Sequence, residues 1–331
     1  MSNKTTETSK AGFKQEIGLF GGVSMLGSIM IGGGIFYLGS YVLQRTDFSM
    51  GLSLLCWVIG GIITMLGGLC FAEMGAMLPK AGGMTVYLNT AFHPLVGFLN
   101  GFNSWLLSGA GSLAAGALAF SAIFGLTGTT GKLVASALMI AFTAYNMLGI
   151  KAGSMFQNFT MVAKLIPIAI IMISAFLMGD VSPDLAILPE GTSFDFSSFI
   201  RMTAFATLAT LWAYEGWINL NTVSEEMKNP KRNLPLSLII AIGGITLLYV
   251  LFNYAIYRVI PADEVRSLID SENFYLGTEV AKRLLGGFGG VIVIIGMTIS
   301  QLGSTNGMAI AFPRTYYAMA AEGHFFKSFA K

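Results

Sequence analysis

The sequence has 331 residues, 54% of them hydrophobic and 11% charged, whereas an ordinary soluble domain carries roughly a quarter charged residues; mean hydropathy is +0.70. That composition excludes water as the main solvent. A net charge of +2 with no basic run excludes a nucleic-acid partner, because phosphate binding needs clustered lysine and arginine.

Residues 1–17 form a polar tail, and the first apolar run, residues 18–43, is too long and too rich in glycine for a secretory signal. It reads as a retained first span. Apolar stretches long enough to cross a bilayer core, about 20 residues as a helix, follow in order. They give eight spans, at residues 18–44, 48–77, 95–125, 132–150, 155–178, 197–223, 234–260 and 287–314. The chain therefore reads as an all-α membrane protein in contact with the lipid bilayer.

Lysine and arginine favour cytoplasmic loops. Lys4, Lys10, Lys14, Lys80, Lys151, Lys228, Lys231, Arg232, Arg314, Lys327 and Lys331 outnumber the opposite set of Arg258, Arg266, Lys282 and Arg283. Both termini are thus expected in the cytoplasm, with acidic loops at 180–195 and 263–279 outside. The only cysteines, Cys56 and Cys70, are fourteen positions apart in one span, about 21 Å along a helix, and cannot bridge each other.

Two motifs interrupt apolar spans. Ile31-Gly32-Gly33-Gly34-Ile35-Phe36 places three glycines inside the first, where a continuous helix disfavours them. A broken helix in the membrane frees backbone N–H groups that must find partners, and the positive end of its second half attracts an anion. A close-packing glycine patch has the same composition, and composition does not choose between them. Trp212-Ala213-Tyr214-Glu215-Gly216-Trp217 interrupts the sixth span with an acid, and an ionisable group inside a membrane is a functional candidate. Two interrupted spans five helices apart are the sign of an inverted-repeat transporter, whose substrate sits between them. Lys164, alone in the fifth span with no acid near it in sequence, likewise demands an explanation. No nucleophile with a base, metal cluster or phosphate cradle is visible; His93 and His324 lie far apart, so neither enzyme chemistry nor a cofactor is expected.

Further strings carry a family resemblance. Tyr214-Glu215-Gly216-Trp217, Asn219, Asn221, Glu225-Glu226-Met227-Lys228-Asn229-Pro230 and Arg232-Asn233-Leu234-Pro235 resemble the sixth helix and following loop of L-type amino acid transporters, in the amino acid-polyamine-organocation superfamily. Glu73, Leu78-Pro79-Lys80-Ala81-Gly82-Gly83 and Tyr87-Leu88 are similar to the second-helix region of that family. Asn306-Gly307, Arg314 and Ala321-Glu322-Gly323 are similar to its eighth-helix region.

The resemblance implies a LeuT-like inverted-repeat fold with discontinuous helices 1 and 6. Its first repeat would be residues 18–178, and an incomplete second repeat, cut after helix 8, residues 197–331. It implies sodium-independent exchange of small or medium neutral L-amino acids. Proton-coupled or cationic amino acid transport, and a truncated homologue that does not transport, are the alternatives. Amides of Gly32, Gly33, Gly34 and Ile35 would hold the substrate carboxylate. Carbonyls near Trp212, Ala213, Tyr214 and Glu215 would meet the amino group, with Trp212 as an aromatic gate and Tyr249 as a pocket tyrosine. The Lys164 ammonium would take the place of sodium, linking the fifth helix to the first and eighth. The family's usual serine is here Gly33, so a hydroxyl is missing. Animal members carry an accessory chain on a cysteine between helices 3 and 4; residues 125–132 hold none, so no disulfide-linked partner is expected.

Overall fold

The computed structural model describes residues 13–188 and 195–330, which are largely helical with no extended strand. Lys4, Lys10 and Lys331 of the charge bias, and residues 189–194 of the first acidic loop, lie outside the described residues. Five helical stretches are long and apolar enough to cross a membrane: Met50–Met77, Pro94–Ile123, Ile150–Met178, Pro230–Tyr257 and Gly287–Ala321.

The first span is interrupted. Helix α1 (Leu19–Met30) is followed by a 3₁₀ turn over Gly33–Phe36, and α2 (Leu38–Arg45) continues beyond it. The second span is one helix, α3 (Met50–Met77), opened by Ser49, whose hydroxyl accepts from the Leu52 amide at 3.1 Å. After α4 (Met84–Ala91), the third span comprises α5 (Pro94–Asn103) and α6 (Gly109–Ile123), joined through a π-helical turn at Ser104–Ser108. Next come α7 (Gly128–Asn146) and α8 (Ile150–Met178). The sixth span is interrupted again: α9 (Phe196–Ala213) stops, and α10 (Asn219–Thr222) resumes after a turn. It is followed by α11 (Pro230–Tyr257), α12 (Ala262–Asp270), α13 (Leu276–Leu285) and α14 (Gly287–Ala321).

Two features depart from the sequence reading. The fifth span starts earlier, at Ile150, and the eighth runs on to Ala321, so that Lys151 and Arg314 lie inside helices, Arg314 paired with Glu226. The 263–279 loop holds most of α12 and the first turn of α13, and Val265, Ile269, Leu276 and, just beyond it, Val280 are buried. Arg283, in the last turn of α13, joins the two helices: it bonds both oxygens of Glu264 and reaches Glu279 at 3.1 Å. That hydrogen bond holds the Glu264 carboxyl below its ordinary range.

Helix α11 is the buried axis of the bundle, packed along α3 and against α1 and α8. Close approach depends on small residues, which substitute for hydrophobic driving force between helices in lipid. A Cβ added to Gly61 would lie 2.3 Å from the Thr246 hydroxyl. Gly61→Leu is therefore expected to separate α3 from α11 at a cost of about 1–3 kcal/mol, typical of overpacking; a thermal melt of the detergent-purified protein should show a lower midpoint.

Candidate functional site

The two interruptions meet each other. Gly216, in the turn after α9, has φ of +113°, a conformation that side chains rarely adopt, and a Cβ there would stand 2.5 Å from Ile29 Cγ2. Glycine thus lets the sixth-span break rest directly on the end of α1.

Every carbonyl from Ile29 to Ile31, at the end of α1, receives a named donor. The Ser304 hydroxyl donates to Ile29 at 3.1 Å, and the Tyr249 hydroxyl lies 3.0 Å from the Met30 carbonyl. Lys164 Nζ donates to Ile31 at 2.6 Å and to Ser28 at 2.9 Å, and stands 3.5 Å from the Ser300 carbonyl. Its side chain is fully buried, 0% exposed, where an ammonium persists only if its protons are satisfied. Tyr249 also lies 3.0 Å from the Ala213 carbonyl at the end of α9, so its one proton is shared between acceptors at the two breaks. Its ring packs against Trp57 and Tyr214, with centroids 5.1 and 5.3 Å away.

The amides beyond the break are distributed differently. Gly32 turns its N–H back onto the Met30 carbonyl at 3.0 Å, so one of the four expected carboxylate donors is already engaged. Gly33 and Gly34 open the 3₁₀ turn, where the first amides have no acceptor within the turn. A cavity of about 990 Å³ lies against this segment. Gly32, Gly33, Gly34, Ile35, Trp212, Ala213, Glu215 and Tyr249 all line it, together with residues of α5, α6 and α14. Tyr214 is not among the residues that line the cavity. Its side chain is 0% exposed and turns away from the cavity to donate to the Trp57 carbonyl at 2.9 Å.

Glu215 is the only acidic or basic side chain among the lining residues, and it has no ion-pair partner among the described residues. Trp212 is 73% exposed, an indole presented to the surroundings and not packed away. Sequence reading missed the polar seam beside Lys164. There the Ser28 hydroxyl donates to Gln157 at 3.1 Å, and the Gln157 amide donates to Gly303 at 3.1 Å. Its signal was present: Gln157, Thr160 and Lys164 recur at steps of three and four, one face of an apolar helix.

Two other contacts bracket the site. The Glu226 carboxylate accepts from Arg314 Nε at 2.8 Å, while the Glu226 carbonyl and Lys228 amide bond the backbone of Ile17 at 3.0 and 2.8 Å. At the other end of the first span, the Ser40 hydroxyl donates to the Phe274 carbonyl, and Tyr41 stacks on Phe274 with centroids 4.7 Å apart.

Two broken spans meeting at a cavity, inside a bundle of apolar helices, define a multi-pass membrane carrier. The family model described as amino acid permease matches residues 17–331. The serine/threonine exchanger SteT of Bacillus subtilis is 32% identical over 317 residues, covering 95% of this chain and 70% of that protein. The b(0,+)-type amino acid transporter 1 of Mus musculus is 32% identical over 341 residues, covering 98% and 67%. The human cystine/glutamate transporter is 30% identical over 330 residues, covering 95% and 63%. The chain thus spans about two thirds of the length of these relatives. It belongs to the L-type amino acid transporters of the amino acid-polyamine-organocation superfamily.

Removing the shared donor should loosen both breaks together. Tyr249→Phe removes the side-chain donor from the Ala213 carbonyl and leaves the Met30 carbonyl with the Gly32 amide alone, a cost of about 1–3 kcal/mol. Hydrogen exchange read by mass spectrometry should accelerate roughly tenfold at residues 30–35 and 213–216, with the rest of the bundle unaffected.

Proposed function

We propose that the chain exchanges small or medium neutral L-amino acids without sodium, by alternating access around the two breaks, with both termini cytoplasmic. The amides of Gly33 and Gly34 receive the carboxylate. The ammonium is accepted at the end of α9, where the Ala213 carbonyl has capacity beyond the Tyr249 hydroxyl. Both contacts use the groups that all amino acids share. Trp212 stands beside this point as the aromatic gate.

The observation that carries the sodium-independent reading is Lys164. A fixed ammonium bonded to carbonyls of α1 and facing α14 supplies a positive charge where those carbonyls would otherwise invite a mobile cation. The Bacillus subtilis relative, by name a serine/threonine exchanger, supports both the exchange mode and the small neutral substrates. Counterflow of labelled alanine into preloaded proteoliposomes should keep its rate within about twofold when choline replaces sodium. Lys164→Ala should lower that rate at least tenfold, about 1.4 kcal/mol or more, while insertion into membranes is retained. A sodium requirement, or undiminished counterflow in the variant, would sink the reading.

A second reading, transport of cationic amino acids, is favoured by Glu215 as the single charge on the cavity wall. Under it, Glu215→Gln should cut lysine or arginine uptake about tenfold and leave alanine uptake unchanged. Equal uptake of lysine by both forms would remove it.

A further inference from the structure

Three carboxamide side chains line the cavity: Asn100, Asn219 and Gln301. The first two are committed within the protein. Asn100 donates to the Thr85 hydroxyl at 3.0 Å, and Asn219 donates to the Gly216 carbonyl at 3.2 Å. Gln301 makes no hydrogen bond among the described residues, although it is partly buried. An uncommitted carboxamide offers both a donor and an acceptor to whatever enters.

Its position relates it to the break. Gln301 lies one turn along α14 from Met297, whose methyl carbon is 3.7 Å from the point where a Cβ on Gly33 would sit. Ser304, nearly a turn further, holds the Ile29 carbonyl. Across the cavity wall, the Gln301 nitrogen comes within 3.1 Å of the point where a Cβ on Gly116 of α6 would lie. Ser112, one turn earlier on α6, lines the same cavity and has no hydrogen bond among the described residues. A ligand whose carboxylate rests on Gly33 and Gly34 therefore shares its cavity with an unspent amide and an unspent hydroxyl.

We propose that Gln301, with Ser112, forms a polar subsite that reads the substrate side chain and takes hydroxyl- or carboxamide-bearing neutral amino acids in preference to apolar isosteres. This rests on the amino acid exchange reading above. An apolar side chain of equal size displaces water from the Gln301 amide and replaces none of its hydrogen bonds, and a site built to bond a substrate hydroxyl rejects the analogue lacking it.

Threonine and valine have nearly the same shape and differ in the hydroxyl, so they isolate the effect. Binding of labelled alanine to the purified chain in detergent should be displaced by threonine at about tenfold lower concentration than by valine. In Gln301→Met, of similar volume, that ratio should fall to within about twofold with alanine affinity preserved. Equal displacement by threonine and valine in the unaltered chain overturns the subsite, as does an unchanged ratio in Gln301→Met. Loss of alanine binding in the variant also overturns it, because Gln301 would then hold the site together and not read the side chain. Absence of counterflow in liposomes, with the threonine preference intact, would instead refute exchange and leave the subsite standing.

Discussion

A backbone that leaves the helix inside a membrane has no water to turn to, and each carbonyl or amide it frees must be matched by another group of the protein or by a ligand. This chain breaks two helices and meets the demand asymmetrically. The carbonyls ending α1 are met by Lys164, Ser304 and Tyr249, drawn from α8, α14 and α11. Gly33 and Gly34, which open the next turn, line the cavity. The fold itself therefore supplies the partners for the carbonyl side of the break. Lys164 is buried deeply enough that its position depends on those carbonyls as much as theirs depends on it. Removing one partner of such a set strands the other in a low-dielectric interior.

The interruptions were legible as a pair: glycines alone fit a packing patch equally well, but a second span broken by an acid five helices later pointed to two breaks. Lys164 was legible as a lone charge inside an apolar span. What could not be read was which way side chains turn once a helix stops. Tyr214 and Glu215 are neighbours in sequence, yet the first turns into the contact between α9 and α3 while the second reaches the cavity. That choice is set by the left-handed turn at Gly216 and by the carbonyl offered by Trp57. Periodicity carries no information about either. The short helices α12 and α13 escaped for a related reason, since their apolar faces are too narrow to register as spans and gain meaning only against α2 and α14. The Gln157, Thr160 and Lys164 row shows that a polar face was detectable, had the spacing been followed beyond the charge.

The halves of the first span are tied to different parts of the molecule. The segment leading into α1 pairs with the 226–228 loop, which Glu226 in turn fastens to α14 through Arg314. The second half, α2, is held by Ser40 and Tyr41 to Phe274, between α12 and α13. Gly216 against Ile29 is the point where the second interruption touches the first. The two breaks are therefore in direct contact.

The wide turn in the third span governs which residues face inward. In an ordinary α-helix a four-residue step overshoots a full circle by about 40°, so Asn100, Ser104, Ser108 and Ser112 would wind about 120° around the axis. All four nevertheless border one hollow. The π-helical turn at Ser104–Ser108, with the Tyr316 hydroxyl seated on the Ser104 carbonyl at 3.2 Å, takes up that surplus rotation. A change that tightened this single turn would swivel α6 like a key in its barrel, withdrawing Ser112 from the interior while every residue of the helix stayed the same.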